Sequence, residues 1–294
     1  MEFERRFASE EACRAYLVRL RWPKGVQCPR CQHKRVWETK RGLYHCAGCG
    51  CQSSVLAGTI FQGTRHSLRL WFRAMWYMTN QKSGVSALGL QRVLGVGSYR
   101  TVWRWLHKLR CAMVRPGRER LAGTVEVDEA FLGGPRAGQH GRGAAGKVLV
   151  VVAAQVEGPR IGRIRLRRVP NASASQLERA VQDAVEPGSV VHTDGLRSYS
   201  RLAARGYLHE VMRKETAVVG ENLLPRVNRV VALLKRWLLG THQGAIRSTY
   251  LDAYLDEFTF RFNRRTSRWR GKLFYRLVQQ AVAVETVTER ELRR

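Results

Sequence analysis

Two pairs of cysteines near the N-terminus constrain the fold of this 294-residue chain more than any other feature. Cys28 and Cys31 form one C-x-x-C pair, Cys46 and Cys49 form a second, and the segment between them includes VWETKRGLYH, which has the pattern of a β-hairpin. Each pair brings two thiolates to one point, and four thiolates complete the closed tetrahedral shell of a structural Zn²⁺ site. We therefore predict a zinc ribbon that stabilises a small module and takes no part in catalysis.

Other residues near the two pairs offer alternative ligands. Cys51 breaks the C-x-x-C spacing and is expected to be a spectator, whereas His33 or His45 could replace a cysteine. Disulfides are a further alternative, although the seven cysteines form an odd set. The N-terminal sequence has no apolar signal core, which favours a protein that is not exported and in which grouped cysteines bind metal.

The chain is strongly basic along its whole length. Lys and Arg total 52 against 23 Asp and Glu, which gives a net charge of +29 at pH 7. Such a surface attracts a polyanion, and nucleic acid is the first candidate. Hydrophobic residues make up 44% of the chain, enough for a folded core. No apolar run approaches the ~18 residues of a membrane-spanning helix, so we expect a cytoplasmic, nucleoid-associated protein with no membrane partner.

Helical periodicity runs from Ser67 to about Met113. LRLWFRAMWYMTN predicts one helix, and SGVSALGLQRVLGVGSYRTVWRWLHKLR predicts two more, joined at Gly95 to Gly97. Two short helices around a glycine-containing turn are typical of a helix-turn-helix, although a plain three-helix bundle with a basic face has the same pattern. Four basic residues of the last helix are candidate DNA contacts: Arg100, Arg104, Lys108 and Arg110.

After a linker, RPGRERLAG, the composition changes to that of an α/β domain. Three strands are predicted first, by the alternating or continuously apolar runs TVEVDEAFL, KVLVVVAAQVEG and RIGRIRLRRV. A helix from Ser173 to Val185 and a short buried strand, SVVHTDG, follow. Gly133 to Gly146 is expected to be a mobile basic loop. This order of elements predicts a mixed sheet with helices of the ribonuclease-H-like type.

Two aspartates in these strands are candidate metal ligands. Asp128 lies on the strand face opposite Val125 and Val127, and Asp194 lies at the mouth of a strand. Two neighbouring carboxylates repel each other unless a cation lies between them, and oxygen ligands suit Mg²⁺ or Mn²⁺. Two such ions support in-line phosphoryl transfer. Taken singly, an aspartate at a strand end is more often a turn-former.

An amphipathic helix is predicted from Pro225 to Gly240, and two of its polar residues share one face. Asn228 and Lys235 are seven residues apart, which is close to two helical turns. Whether Asn228 completes a site with the two aspartates is open at the level of periodicity alone.

Several motifs, taken together with the cysteine pairs, resemble bacterial insertion-sequence transposases of the zinc-ribbon, DDE-superfamily type. They are VEVDEAFLGG, VHTDGLRSY, and PRVNRVVALLKRWLLGTHQG followed by YLDEFTFRFNRR. The likeness follows the family's order from the cysteine pairs to about Arg265. It implies that Asp128 and Asp194 bind the catalytic metal and that Asn228 stands where most DDE enzymes have glutamate. It also implies that Lys235, with the neighbouring Arg236, contacts the DNA.

The amide at position 228 departs from the usual carboxylate. Its carbonyl oxygen can ligate a cation but brings no charge, so metal binding is expected to be weaker. Glu221 and Glu257 are alternative third carboxylates, although Glu257 with Arg261 is more simply an i,i+4 helix pair. His192 and His209 could take part in proton transfer, with a packing or surface role as the simpler alternative.

We expect four segments: an N-terminal helix and zinc ribbon (1–60), a helix-turn-helix region (61–115), a catalytic domain (120–265) and a C-terminal helical tail (266–294). The resemblance implies a transposase that binds the terminal inverted repeats of its element, as at least a dimer on double-stranded DNA. It would hydrolyse a phosphodiester at each end and transfer the strand to target DNA. The alternatives are an inactive DNA-binding regulator derived from a transposase, and a ribonuclease-H-like nuclease without strand transfer.

Overall fold

The computed structural model describes residues 2–115, 117–133, 147–212, 222–243 and 247–285, and the structural statements below concern these residues. The chain divides into two compact units, Met1–Pro116 with Ser267–Arg294, and Gly117–Thr266. The first unit is therefore built from two separate stretches of chain, with the second unit inserted between them. None of the described helices is long and apolar enough to span a membrane.

The described helices, in chain order, are α1 Glu2–Arg6, α2 Glu10–Arg21, α3 Leu68–Asn80, α4 Ala87–Leu94, α5 Tyr99–Cys111, α6 Ala174–Ala184, α7 Pro225–His242, α8 Leu251–Phe262 and α9 Arg270–Ala281. The strands are β1 Val36–Glu38, β2 Tyr44–Cys46, β3 Gln52–Ser53, β4 Thr124–Leu132, β5 Val148–Glu157, β6 Arg160–Val169, β7 Val190–Thr193 and β8 Leu208–Val211. Most of these elements lie where the sequence periodicity predicts them, but β8 was not predicted.

The cysteine-containing part of the first unit folds as a small antiparallel sheet. Its strands pair in the order β1-β2-β3, and β1 with β2 forms the predicted hairpin. Trp37 and His45 face each other across this hairpin, with their ring centroids 4.6 Å apart. The cross-strand aromatic pair stabilises a sheet that is too small to have much core of its own.

Four helices of the first unit begin at serine caps. Ser9, Ser67, Ser86 and Ser98 each accept a hydrogen bond from a backbone N–H of the first turn of α2, α3, α4 and α5. Gly95 ends α4 in the left-handed conformation, with φ 65°, which a glycine adopts without strain. Two helices therefore lie on either side of the glycine-containing turn, as predicted, while the assignment of this region as a DNA-binding helix-turn-helix stays a prediction.

The helix predicted within a separate C-terminal tail packs into the first unit. The ring centroid of Phe274 in α9 lies 5.4 Å from that of Phe3, 5.5 Å from that of Phe7 and 5.6 Å from that of Phe72. Such aromatic contacts bury large apolar areas and favour edge-to-face geometry. The aromatic core of the first unit is thus completed by α9.

The second unit contains a mixed five-stranded sheet in the order β6-β5-β4-β7-β8. β5 pairs antiparallel with β4 and with β6. β7 pairs in parallel with β4, and β8 pairs in parallel with β7. The central strand is β4.

Each face of this sheet is covered by helix. On one face Val125 and Val127 of β4 belong to a core that includes Leu177 and Val181 of α6. On the other face Leu132 of β4 belongs to a second core, formed with α7 and α8, in which Phe258 and Phe262 are buried. Because side chains alternate along a strand, Glu126 and Asp128 share the face of Leu132, toward α7 and α8.

Candidate active site

The four predicted zinc ligands converge in the first unit. The sulfur atoms of Cys28, Cys31, Cys46 and Cys49 all lie within 4.8 Å of one another, with Sγ–Sγ distances of 3.6 Å for Cys28–Cys49 and 3.5 Å for Cys31–Cys46. A tetrahedral site with Zn–S bonds of about 2.3 Å requires sulfur separations of this order. The four-cysteine cluster fits structural zinc. Cys51, His33 and His45 are outside it.

All seven cysteines lie in the described ranges, and none of them is in a disulfide. The backbone N–H of Cys31 donates to the Cys28 sulfur and is the main cause that lowers the pKa of this thiol, to about 6. Burial opposes the shift, and the backbone N–H of Arg30 adds to it. A lowered pKa favours the thiolate, which is the form that binds metal. The local turn thus favours the thiolate of Cys28, whereas the pKa of Cys31 is raised, with burial and its contacts to Cys46 and Cys28 opposing ionisation.

The two candidate aspartates lie on neighbouring strands: Asp128 is within β4, and Asp194 directly follows β7. β4 and β7 run in parallel, with Val125 opposite Val191 and Glu126 opposite His192. Continuing this register by two residues puts Asp128 opposite Asp194, just past the end of β7. Asp128 is half-buried, and Asp194 is exposed. Asp194 Oδ1 accepts the backbone N–H of Leu196 at 3.0 Å, which fixes its carboxylate at the start of the following turn.

A buried tyrosine lies close to both carboxylates. The Tyr199 hydroxyl donates to Glu129 Oε2 at 3.1 Å, and its side chain is fully enclosed. Burial raises the pKa of Tyr199 strongly, and the negative charges of Glu129, Asp128 and Asp194 raise it further. Tyr199 therefore stays protonated and available as a donor at any physiological pH. Periodicity did not single out Tyr199 or Glu129, although both fall inside the motifs that carry the family resemblance.

Asn228 lies in the first turn and a half of α7, with an exposed side chain. Its Nδ2 donates to Asn222 Oδ1 at 2.6 Å, which leaves the amide carbonyl as the atom of this side chain able to ligate a cation. Apart from the cysteine cluster, no three carboxylate, imidazole or thiol ligands of the described residues lie within 4.8 Å of one another. No third carboxylate of that part of the chain completes the pair of aspartates.

The first turn of α7 is attached to β4 by a carboxylate that the sequence analysis missed. Glu126, 2% exposed, accepts the backbone N–H groups of Arg226 at 2.7 Å and Val227 at 3.0 Å. Arg226 Nη1 donates to the same carboxylate at 3.0 Å. A glutamate on the buried face of a strand was the available signal, because a buried charge requires partners.

The basic residues predicted to contact DNA differ in exposure. Lys235 and Arg236 on α7 and Arg100 on α5 are exposed, and Arg104 is half-buried. Lys108 Nζ donates to the carbonyl of Ile60 at 3.3 Å, and the pKa of Lys108 is lowered by burial. Arg110 is 2% exposed. A guanidinium enclosed in this way is not presented to a duplex.

The alternative third carboxylates and histidines have other surroundings. Glu257 is fully buried and forms an ion pair with Arg261 at 2.8 Å, the predicted i,i+4 helix pair. Glu221 lies outside the described residues, as do residues 134–146 of the predicted basic loop. His192 Nε2 lies 2.9 Å from Glu210 Oε2, and His209 Nε2 lies 2.9 Å from Thr193 Oγ1. Burial lowers the pKa of His209, which favours its neutral form.

Comparisons with known proteins show that two segments of the chain are similar to transposase domains. Residues 120–263 match the family model described as an ISXO2-like transposase domain, and residues 8–52 match that of a transposase zinc-ribbon domain. Both matched segments are similar to transposase domains. The first of them spans the mixed sheet with Asp128, Asp194 and Asn228, and the second spans the four-cysteine cluster.

Two further proteins are similar to this chain. An uncharacterized protein in transposable element ISH50 of Halobacterium salinarum is 27% identical over 283 residues, which cover 87% of this chain and 91% of the relative. A cryo-EM structure of the simian T-cell lymphotropic virus intasome in complex with PP2A regulatory subunit B56 gamma is 13% identical, with a TM-score of 0.35. That likeness covers 63% of this chain and 70% of the other.

Proposed function

We propose that this protein is the transposase of an insertion sequence, which cleaves and transfers DNA strands at the terminal inverted repeats of its element with a divalent metal cofactor. The observation that carries the proposal is the pairing of β4 with β7. Its register, continued two residues beyond the pair Glu126–His192, would put Asp128 beside Asp194, and both residues lie in a segment that matches a transposase family model. A sheet of three antiparallel strands extended by two parallel ones supports a ribonuclease-H-type core.

Asp128, Asp194 and Asn228 would hold Mg²⁺ or Mn²⁺. All three side chains offer oxygen ligands, which these ions prefer, and the repulsion between adjacent carboxylates is relieved by a cation. When bound, the ions activate the attacking oxygen and stabilise the leaving oxygen in phosphoryl transfer. Since Asn228 brings no charge, the protein supplies two negative charges where a three-carboxylate site supplies three. We therefore expect a higher metal requirement than in a three-carboxylate enzyme.

Basic side chains would position the DNA. Lys235 and Arg236 are exposed two turns along α7 from Asn228, and Arg100 with Arg104 lies in the N-terminal half of α5. We propose α5 as the recognition helix of a helix-turn-helix, with Arg100 and Arg104 as its contacts to bases or phosphates. Two element ends must be held together for transposition, so the protein would act on double-stranded DNA as at least a dimer.

The test uses full-length protein and labelled duplexes that carry the inverted repeats flanking the gene. With Mg²⁺ or Mn²⁺ we expect nicked or cleaved product and joining to a target duplex. Asp128→Asn and Asp194→Asn preserve side-chain shape but remove the charge, and should reduce cleavage by about 100-fold or more while leaving end binding intact. Asp183→Asn is the matched control, because Asp183 is a surface partner of Arg167 in the same unit.

Three outcomes would contradict the proposal. End binding without cleavage under any divalent ion would favour a regulator derived from a transposase. Cleavage without strand transfer would favour a ribonuclease-H-like nuclease. Cleavage that persists in Asp128→Asn at the wild-type rate would show that the metal site has been assigned to the wrong residues.

A further inference from the structure

We propose that Glu126 is the positioning residue that holds α7, and with it Asn228, in place against the catalytic strand β4. This inference rests on the proposed function of the Asp128, Asp194 and Asn228 site. It assigns to Glu126 a task separate from metal binding. Glu126 would act on the reaction only through the geometry of the helix that it anchors.

Glu126 makes the hydrogen bonds of a helix N-cap to α7, although it lies on β4 and is distant from α7 in sequence. The residue before α7 is Leu224, which makes no side-chain cap, and the helix opens with Pro225. Glu126 Oε2 accepts the N–H groups of Arg226 and Val227, at 2.7 and 3.0 Å, from the second and third helical positions. An N-cap side chain normally accepts from these positions, which have no partner within the helix. A carboxylate there also interacts favourably with the helix dipole.

The charge of Glu126 is balanced by its own partner. Arg226 Nη1 donates to Glu126 Oε1 at 3.0 Å, and Arg226 Nη2 donates to the carbonyl of Gly158, in the turn between β5 and β6, at 2.6 Å. Glu126 is 2% exposed, so this ion pair is shielded from solvent on the carboxylate side. With both carboxylate oxygens engaged by α7, Glu126 is suited to hold the helix and is not offered to a metal ion.

The contact between Glu126 and α7 lies close in sequence to the proposed metal-site residues on both elements. Glu126 precedes Asp128 by two residues on the same strand face, a separation of about 6.6 Å along a strand. Arg226 precedes Asn228 by two residues, which is a rise of about 3 Å along a helix. Short rigid segments thus separate the Glu126–α7 contact from the site residues on both sides. A shift of the first helical turn would move Asn228 relative to the two aspartates.

A second buried Glu–Arg pair in the same unit provides a matched control. Glu178 in α6 is 3% exposed, and its Oε2 accepts from Arg205 Nε at 2.9 Å. None of the described contacts of Glu178 is to α7. Glu126→Gln and Glu178→Gln therefore each remove one buried charge from one ion pair, but only the first weakens the anchor of α7.

The experiment compares full-length wild type, Glu126→Gln and Glu178→Gln by three measurements. Hydrogen exchange reports the amides of Arg226 and Val227, electron paramagnetic resonance titration reports Mn²⁺ binding, and a labelled element end reports cleavage. For Glu126→Gln we expect about 10-fold faster exchange of the α7 first-turn amides, with β5 amides unchanged. Mn²⁺ affinity and the cleavage rate at saturating DNA should each fall about 10-fold or more, and the DNA concentration for half-maximal rate should stay within about twofold. Glu178→Gln should leave all of these at wild-type values.

Two results would overturn the inference. In the first, Glu126→Gln leaves exchange at Arg226 and Val227 unchanged. In the second, Glu178→Gln reproduces the loss of Mn²⁺ affinity, which would make that loss a general effect of stability. If Glu126→Gln does not fold, Arg226→Gln replaces it, since this variant keeps the backbone contacts and should show smaller changes of the same kind. A wild type that does not cleave would refute the proposed function, while exchange and Mn²⁺ binding would still decide the role of Glu126.

Discussion

Asp256 in α8 is predicted to make the second unit less stable as the pH rises from about 4 to about 7. Burial is the main cause that raises the pKa of this carboxyl from 3.8 to about 7; Arg118 opposes the shift and Asp252 adds to it. In the unfolded chain the carboxyl ionises near its ordinary pKa, so between these values the folded state binds a proton that the unfolded state has lost. Stability therefore falls with rising pH across this window, and the full penalty is present above pH 7.

The magnitude follows from the shift. About three pKa units correspond to about 4 kcal/mol at about 1.4 kcal/mol per unit, and we expect about 2 to 4 kcal/mol because Asp256 keeps some solvent contact. Asp256→Asn has nearly the same shape and no charge. It should stabilise the second unit by this amount at pH 8 and have little effect at pH 4.

The assay is urea unfolding at pH 4, 6 and 8, followed by hydrogen exchange of β5 amides, which report the second unit alone. Asp183→Asn is the control, because its carboxylate lies on the surface of the same unit. An equal effect of Asp256→Asn at pH 4 and pH 8 would refute the reasoning, and so would a pH slope in wild type that the substitution does not remove.

Two further predictions concern the first unit. Removal of zinc by a strong chelator, or Cys46→Ser, should unfold the small β1-β2-β3 sheet while the second unit stays folded, because a closed four-cysteine site supplies the folding energy of such a module. Near-ultraviolet circular dichroism would report the first unit, and hydrogen exchange of β5 amides would report the second. Loss of both units together would contradict the prediction. Arg100→Ala should weaken binding to an element-end duplex and reduce the dependence of log K on log salt by about 1 if the contact is to a phosphate. Arg69→Ala, an exposed arginine of α3, is the charge-matched control, and equal effects of the two variants would indicate non-specific attraction only.

The parts of the fold that depend on local pattern were predictable from the sequence. The β-rich run TVEVDEAFL, which alternates from Val125 to Asp128, predicts β4, and Ser98 after a glycine-containing turn predicts the start of α5. The position of Asp128 within a strand and that of Asp194 directly after one were also within reach, because each residue belongs to a strand pattern or borders one. Each of these inferences needs only the periodicity of neighbouring residues.

The parts that depend on distant partners were not predictable. In the sequence, Glu126 is one more polar residue of a strand. Its role depends on hydrogen bonds from backbone N–H groups that lie 100 and 101 residues further along the chain. β8 has four residues, of which Leu208 and Val211 are exposed, and so it lacks an apolar pattern. The raised pKa of Asp256 arises from the packing of α8 against the sheet, which no spacing within YLDEFTFRFNRR encodes.

The packing of α9 into the first unit has a consequence for the order in which the protein matures on the ribosome. α9 is synthesised after the whole of the second unit, yet Phe274 of α9 fills the aromatic core around Phe3 and Phe7. The second unit can therefore fold before the first unit is complete. Until α9 has been synthesised, the aromatic rings of the N-terminal segment stay exposed. A fragment cut at the boundary near residue 116 would keep the zinc ribbon but lose this last helix, and would be prone to aggregate.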